Sequence, residues 1–448
     1  MSDISDYSLS FSLVRNYVVF SFKRYYREYI VLGKDNIPKD CPVIFAPNHI
    51  NALMDAIAVH SIAPYKIPVI FLARADIFNN KKAAKVLQFT KILPAFRMRD
   101  GMENLGKNNE IFEQCVEILN QNMALGIMPE GNQGEQRKLR PLVKGIFRIA
   151  FAAQQKHNIQ PNVKILPVGI DYGSLTKFGK HIIINIGKPI EVSEYMKSYA
   201  DNPVTSTNEI RERLGSDLNK LSLNLATEKF YECFESITGI VDSAMVEKLG
   251  LPDSTVSRFI ARQEIAKKLV SLEKSEPDKI EKLDLLRNEY DLLLDKLNLK
   301  NWVLEQKKLK LSTNLFEGLL LFCSLPLFLY GFLMNFVPFM APVFIRKYVM
   351  KSQYEGFFSS LQFVIGIITF PLFYILQTVL FYFLISNSLW LTMIFLIIQY
   401  PFGKLALKWF IKTEKLMAKI RCLNLLKIKS SDLILAQEIR AQIIRKII

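Results

Sequence analysis

The run from Leu361 to Phe402 contains no charged residue. A bilayer core about 30 Å thick is crossed by roughly 20 helical residues. The run is therefore long enough for two spanning helices, with Ser386-Asn387-Ser388 as the polar turn between them. A second apolar stretch, Leu319 to Ile345, precedes it and is interrupted by Pro326, Pro338 and Pro342. Basic residues flank this first stretch on both sides: Lys307, Lys308 and Lys310 before it, Arg346, Lys347 and Lys351 after it. Lys404 and Lys408 follow the last apolar run. Positive charge stays on the cytoplasmic side, so the first stretch is expected to enter and leave on one face as a Pro-broken re-entrant segment. Such a segment survives only where its freed backbone is satisfied by protein or water. The rival arrangement, three ordinary spans, puts one basic flank on the opposite face.

The remaining composition narrows the class. The net charge of +16 calls for an anionic partner. Lys404 to Ile448 holds eleven Lys or Arg against three acids, so about half of the excess sits directly after the last apolar run. Basic residues beside an apolar span read as contacts with an anionic phospholipid membrane. No nucleic-acid-binding signature accompanies them, and nucleic acid is not an expected partner. Five scattered cysteines without a C-x-x-C pair give neither a disulfide framework nor a zinc site. Four histidines without an H-E-x-x-H pattern argue against a metal centre.

Residues 1–34 alternate apolar clusters (Val18, Val19, Phe20, Phe22) with Arg15, Lys23, Arg24 and Arg27. They fit a basic amphipathic helix on the membrane surface; a helix packed on the neighbouring domain is the alternative. From 35 to 191, short non-alternating apolar runs at Val43–Ala46, Val69–Ala73, Ile92–Phe96, Leu125–Met128, Val163–Val168 and Ile182–Ile186 suit strands buried on both faces. Helical patterns at Lys81–Phe89, Asn108–Met123 and Gly145–Lys156 alternate with them. The expectation is an α/β domain, a mostly parallel sheet with helices on both faces. A helical region over 192–312 follows, then membrane-embedded segments over 313–403 and a basic amphipathic tail over 404–448.

The chemistry sits in Ala46-Pro47-Asn48-His49-Ile50-Asn51-Ala52-Leu53-Met54-Asp55, at a strand-to-helix turn where an open α/β sheet places its sites. An imidazole takes a proton from a hydroxyl near neutral pH, and a carboxylate behind it fixes its tautomer. The plainer reading is a capping histidine and a first-turn Asp facing the helix dipole. Three further stretches bear on the choice: Pro94-Ala95-Phe96-Arg97-Met98-Arg99, Met128-Pro129-Glu130-Gly131-Asn132 and Ile165-Leu166-Pro167-Val168. In order and approximate spacing the four resemble the blocks of the glycerolipid acyltransferase family, which includes lysophosphatidate and glycerol-3-phosphate acyltransferases.

The resemblance implies that His49 deprotonates an acceptor hydroxyl and Asp55 orients it. It implies that Arg97, with Arg99 as second choice, grips a phosphate, and that Glu130 and Gly131 take part in acceptor binding. Lys144, at the mouth of the helix beginning near Gly145, is a candidate second contact to a phosphate. Pro167 reads as structural. Two departures stand out. Five residues separate His49 from Asp55 where the family commonly has four; this is similar to the fungal-type glycerol-3-phosphate and dihydroxyacetone-phosphate acyltransferases. Asn132-Gln133 stands where the family often has Thr followed by Arg or Lys, so a basic contact there is missing or comes from Arg137, Lys138 or Arg140.

The expected function is that of an integral membrane O-acyltransferase of phospholipid synthesis, its catalytic domain on the cytoplasmic face. Acyl-CoA or acyl carrier protein would be the donor co-substrate, with no further cofactor. Glycerol 3-phosphate, dihydroxyacetone phosphate or 1-acylglycerol 3-phosphate would be the acceptor. The alternatives are a phospholipid transacylase and a catalytically silent lipid-binding scaffold on the same fold.

Overall fold

The computed structural model describes residues 8–64, 68–95, 105–157, 162–306, 309–349 and 355–448. The chain divides into two compact units, residues 1–224 with 353–360, and residues 225–352 with 361–448.

The first unit is an α/β domain. Its strands are β1 (Glu28–Leu32), β2 (Val43–Pro47), β3 (Val69–Arg74), β4 (Ile92–Ala95), β5 (Ala124–Gly126), β6 (Lys164–Tyr172), β7 (His181–Ile186) and β8 (Ile190–Glu191). Its helices are α1 (Leu9–Tyr25), α2 (Ala52–Ile62), α3 (Lys81–Phe89), α4 (Leu105–Asn120), α5 (Gly145–His157), α6 (Met196–Asp201) and α7 (Pro203–Leu221). The strands lie in the order β1-β7-β6-β2-β5-β3-β4, with β8 beside β6. All pairings are parallel except β6 with β7 and β6 with β8.

Side chains alternate across a strand, and both faces are covered. Ile44, Ile70, Leu125 and Ile165 join one apolar core with residues of α4, α5 and α7. Phe71, one place on from Ile70, points the other way and meets the ring of His60 on α2, with centroids 4.9 Å apart. The non-alternating apolar strands follow from this two-sided cover.

Three readings of the sequence are corrected here. The N-terminal helix ends at Tyr25, and Glu28–Leu32 forms an edge strand paired with β7. The helix also docks: Phe11, Phe22 and Tyr25 are buried, and Arg15 donates to the carbonyls of His60, Ala63 and Pro64. Leu9, Leu13, Tyr17 and Phe20 remain exposed on its other side. At the far end of the domain, α7 belongs to the first unit, because Ile210, Leu214 and Leu218 complete the core over the sheet.

The second unit is helical. It contains α8 (Tyr231–Lys248), α9 (Thr255–Ser275), α10 (Pro277–Leu297), α11 (Asn301–Leu304), α12 (Leu311–Cys323), α13 (Leu325–Phe344), most of α14 (Phe358–Leu384), α15 (Leu389–Lys427) and α16 (Ser431–Ile447). Residues 404–448, expected as a basic tail, continue α15 and then form α16. Leu433, Ala436, Ile439, Ile443 and Ile447 of α16 are buried. That i, i+3, i+4 stripe finds its apolar partner in protein, chiefly α10 and α8.

The re-entrant expectation is also corrected. Pro326 sits in the first turn of α13, where the missing N–H costs nothing, but α13 runs on through Pro338 and Pro342. Three described segments are long and apolar enough to cross a membrane: Leu325–Val349, Phe358–Leu384 and Leu389–Lys427. α14 and α15 turn at residues 385–388, as the sequence indicates. Gly331 lets α13 approach α15 closely: a Cβ there would lie 2.2 Å from the Phe402 carbonyl oxygen. Small residues at such crossings are the usual means of packing membrane helices. Asn335 of α13 donates to the Gln399 carbonyl of α15 at 3.4 Å and to the Gly331 carbonyl of its own helix at 2.9 Å, and accepts from the Tyr374 hydroxyl of α14 at 2.6 Å.

Candidate active site

Three neighbouring strands, β6, β2 and β5, bring the site together at their carboxyl ends. His49 lies two residues past β2 and Glu130 just past β5, while Tyr172 is the last residue of β6. Asn48 locks two of these ends together. Its side chain donates to the Ile170 carbonyl at 3.1 Å and accepts from the Ile170 N–H at 2.6 Å.

His49 Nδ1 lies 2.9 Å from Asp55 Oδ2. The same oxygen accepts the backbone N–H of Ile50 at 2.9 Å and of Asn51 at 2.7 Å. The Tyr172 hydroxyl donates to the other oxygen, Oδ1, at 2.6 Å. The Asp55 side chain is 0% exposed and that of His49 17%. A buried carboxylate with four donors stays in place, and the imidazole beside it keeps one edge open.

The fifth residue between His49 and Asp55 is absorbed at Ala52, whose φ of +41° is left-handed. This bulge at the first turn of α2 lets two successive N–H groups turn back onto Asp55. Backbone strain of this kind, rare outside glycine, clusters at functional sites.

Glu130 is engaged within the protein. Its carboxylate accepts the His49 N–H at 2.7 Å through Oε1, and the Arg140 N–H at 3.0 Å and Nε at 3.1 Å through Oε2. Burial pushes this carboxyl above the usual carboxylate range, against the opposing pull of these hydrogen bonds and of the Arg140 charge. Gly131 has φ of +71°, and a Cβ there would lie 2.9 Å from Val143 Cγ1. The Glu130–Gly131 turn is thus a clamp on the His49 loop, and Gly134 adds to it by donating to the His49 carbonyl at 2.9 Å.

Of Arg137, Lys138 and Arg140, the residues the sequence offers for a basic contact after Glu130–Gly131, Arg140 is the one bonded to Glu130. Arg137 is buried elsewhere, donating to Asp171 and to the Tyr172 carbonyl. Arg140 also donates to the Gln133 carbonyl at 2.8 Å, while its Nη2 is buried without a hydrogen-bond partner among the described residues. Lys144 is exposed beside Val143, at the start of α5, and is not drawn into this hydrogen-bonded cluster among the described residues. Arg97 and Arg99 lie outside the described residues. Pro167 pairs in register with Ala46 of β2. Among the described residues no group of three His, Cys, Asp or Glu is placed to hold a metal ion.

Tyr172 and Asn48 were not singled out from sequence. The apolar run ending at Val168 stops short of the strand, which continues to Tyr172. Extending that run by four residues would have put the tyrosine on the site's edge.

Residues 28–171 match a family model described as Acyltransferase. The chain is 26% identical over 298 residues to "Glycerol-3-phosphate O-acyltransferase 1" of Saccharomyces cerevisiae, covering 62% of this chain and 38% of the yeast protein. It is 26% identical over 184 residues to "1-acyl-sn-glycerol-3-phosphate acyltransferase" of Borreliella burgdorferi, covering 41% of this chain and 67% of that one. The solved structure of the 1-acyl-sn-glycerophosphate acyltransferase PlsC from Thermotoga maritima aligns at 19% identity and a TM-score of 0.34, over 46% of this chain and 79% of that one. The chain thus spans well under half the length of its yeast relative. The matched region carries the His49–Asp55 pair, the Arg97 block, the Glu130–Gly131 turn and most of β6. Over residues 28–171 the chain thus matches the Acyltransferase family model, and the yeast and Borreliella relatives carry the names of glycerol-3-phosphate and 1-acylglycerol-3-phosphate acyltransferases.

Proposed function

We propose that this protein is a membrane-bound O-acyltransferase that moves a fatty acyl group from a thioester, acyl-CoA or acyl carrier protein, to glycerol 3-phosphate. Dihydroxyacetone phosphate and 1-acylglycerol 3-phosphate are the other acceptors of the same chemistry. The name of the yeast relative and the five-residue His–Asp spacing favour glycerol 3-phosphate. The observation that carries the reading is the His49–Asp55 pair, with the carboxylate wholly buried and the imidazole open on one edge.

With Nδ1 donating to Asp55, Nε2 is the basic nitrogen. It takes the acceptor's hydroxyl proton as the oxygen attacks the thioester carbonyl. The tetrahedral oxyanion collapses with cleavage of the C–S bond, and the imidazolium returns the proton to the departing thiolate. Arg97, Arg99 and the spare Nη2 of Arg140 are the proposed contacts to the acceptor phosphate. Lys144, exposed next to this loop, would meet the phosphate only from outside. Three apolar helices fit attachment to a membrane, with anionic phospholipid as the surface met and the catalytic domain on the cytoplasmic face.

The test is acyl transfer in membranes expressing the protein, with glycerol 3-phosphate and 1-acylglycerol 3-phosphate supplied separately, each with acyl-CoA and with acyl carrier protein. Transfer to one acceptor, abolished by His49→Ala, supports the reading. Background activity with every thioester overturns it. Phospholipid-to-phospholipid transfer in the same membranes would identify a transacylase, and its absence as well would leave a lipid-binding scaffold.

A further inference from the structure

Tyr172 lies one residue beyond the region matched by the family model and 117 residues from Asp55 in sequence. Its ring is 0% exposed, and its hydroxyl is the one described partner of Asp55 Oδ1. The other carboxylate oxygen already receives His49 Nδ1 and the N–H groups of Ile50 and Asn51. The two oxygens are therefore not equivalent: three donors converge on Oδ2 and Tyr172 alone on Oδ1. We propose that Tyr172 is a positioning residue of the catalytic pair, holding Oδ1 so that the carboxylate plane cannot rotate and Oδ2 stays aimed at His49. This rests on the reading of His49 as the base.

The tyrosine is itself held. Arg137 donates to its carbonyl and to the neighbouring Asp171, and Asn48 bonds both backbone groups of Ile170 on the same strand. Burial and the adjacent Asp55 charge keep the Tyr172 phenol well above its ordinary range, so it remains a donor throughout the working pH range. The titratable and charged groups around the pair are few. Tyr25 and Tyr26 come from the end of α1, Asp171 from β6 with Arg137 and His181 near it, and Glu130 with Arg140 from the loop after β5. Tyr26 supplies an internal control. Its ring centroid is 6.1 Å from that of Tyr172, and its hydroxyl is equally buried but has no hydrogen-bond partner among the described residues.

The experiment compares Tyr172→Phe with Tyr26→Phe in the full-length, membrane-embedded protein. Both keep the ring that fills the core, and both delete one buried hydroxyl. Without the Tyr172 hydroxyl the carboxylate is free to turn, Oδ2 loses its aim at Nδ1, and its pull on the imidazolium weakens. In Tyr172→Phe, kcat at neutral pH is expected to fall about tenfold or more, as for loss of a hydrogen bond to a charged group. KM for the acceptor should stay within about twofold, since no binding contact is lost. The acid limb of the kcat profile should move down by about half a pH unit or more. Tyr26→Phe should match wild type in all three.

Carbethoxylation of His49, followed by peptide mass spectrometry across pH, reads the same shift without turnover. A midpoint lowered in Tyr172→Phe alone supports the proposal, even if acyl transfer proves to be the wrong reaction. An unchanged midpoint in Tyr172→Phe, or equal shifts in the two variants, overturns it. Activity that survives His49→Ala would instead defeat the assignment of the base.

Discussion

Glu130→Gln separates two roles for the acidic residue of the Glu-Gly turn. The resemblance implies acceptor binding, whereas the structure has both carboxylate oxygens occupied by the protein. A glutamine has one acceptor oxygen and one donor NH2. If its oxygen keeps the His49 N–H, its NH2 faces the N–H and guanidinium of Arg140; flipped, it faces the His49 N–H. Either way a donor meets a donor in a side chain that is 0% exposed. Hydrogen bonds to a charged group contribute about 1.5–3 kcal/mol each. Arg140 is 29% exposed, which discounts its share, so a weakening of the clamp of about 2–4 kcal/mol is expected. The clamp holds the backbone of the base itself, and misplacing a catalytic group by about 1 Å costs roughly 100-fold in rate. Steady-state kinetics with acceptor varied at saturating thioester should therefore show kcat down about 100-fold and acceptor KM changed less than about threefold. Glu130→Asp, which keeps the charge, should recover part of kcat. An acceptor KM raised tenfold or more at unchanged kcat would refute the clamp and return Glu130 to the substrate.

Three other perturbations follow from particular residues. His60 is half-buried with its Nδ1 sealed from solvent, and desolvation, helped by the Arg15 charge, lowers its pKa from 6.5 to about 3. The unfolded chain then binds a proton that the folded one refuses, so stability falls as pH drops below 6.5, by about 1.4 kcal/mol per unit and about 2.7 kcal/mol at pH 4.5. Hydrogen exchange of α2 and β3 should show this acid slope in wild type and a flatter one in His60→Phe; equal slopes would sink the account. Ala52→Gly should leave kcat unchanged and match or raise local stability by up to about 1 kcal/mol, because relief of the left-handed strain outweighs glycine's entropy; a lower stability by exchange would mean that the bulge is unstrained. With the exposed Cys323 replaced, cysteines at Lys310 and Lys347 should be labelled from opposite faces, because α13 is continuous and its apolar segment is 25 residues long. Labelling of both from one face would restore the re-entrant segment.

Much of this protein is determined locally. The uncharged run from Leu361 to Phe402 makes two membrane-length helices wherever the rest of the chain goes, because chain length and hydropathy suffice. Val43–Ala46 and Val69–Ala73 are too apolar for any place but a sheet covered on both faces. His49 and Asp55 meet across a single turn, so their pairing was legible without a fold. Other features needed partners that no local pattern names. Glu28–Leu32 looked like the end of a basic helix, and only its register with β7 makes it a strand. The apolar stripe of α16 was visible as amphipathic, but whether lipid or protein covers it depends on where α8 and α10 stand. The site's outer supports belong to the same class. Glu130, Arg140 and Tyr172 are far from His49 along the chain, and the order β6-β2-β5 sets three strand ends side by side. Spacing in the sequence carries no record of that order. It arises when the two-sided core closes and the buried Asp55 takes the four donors its charge requires.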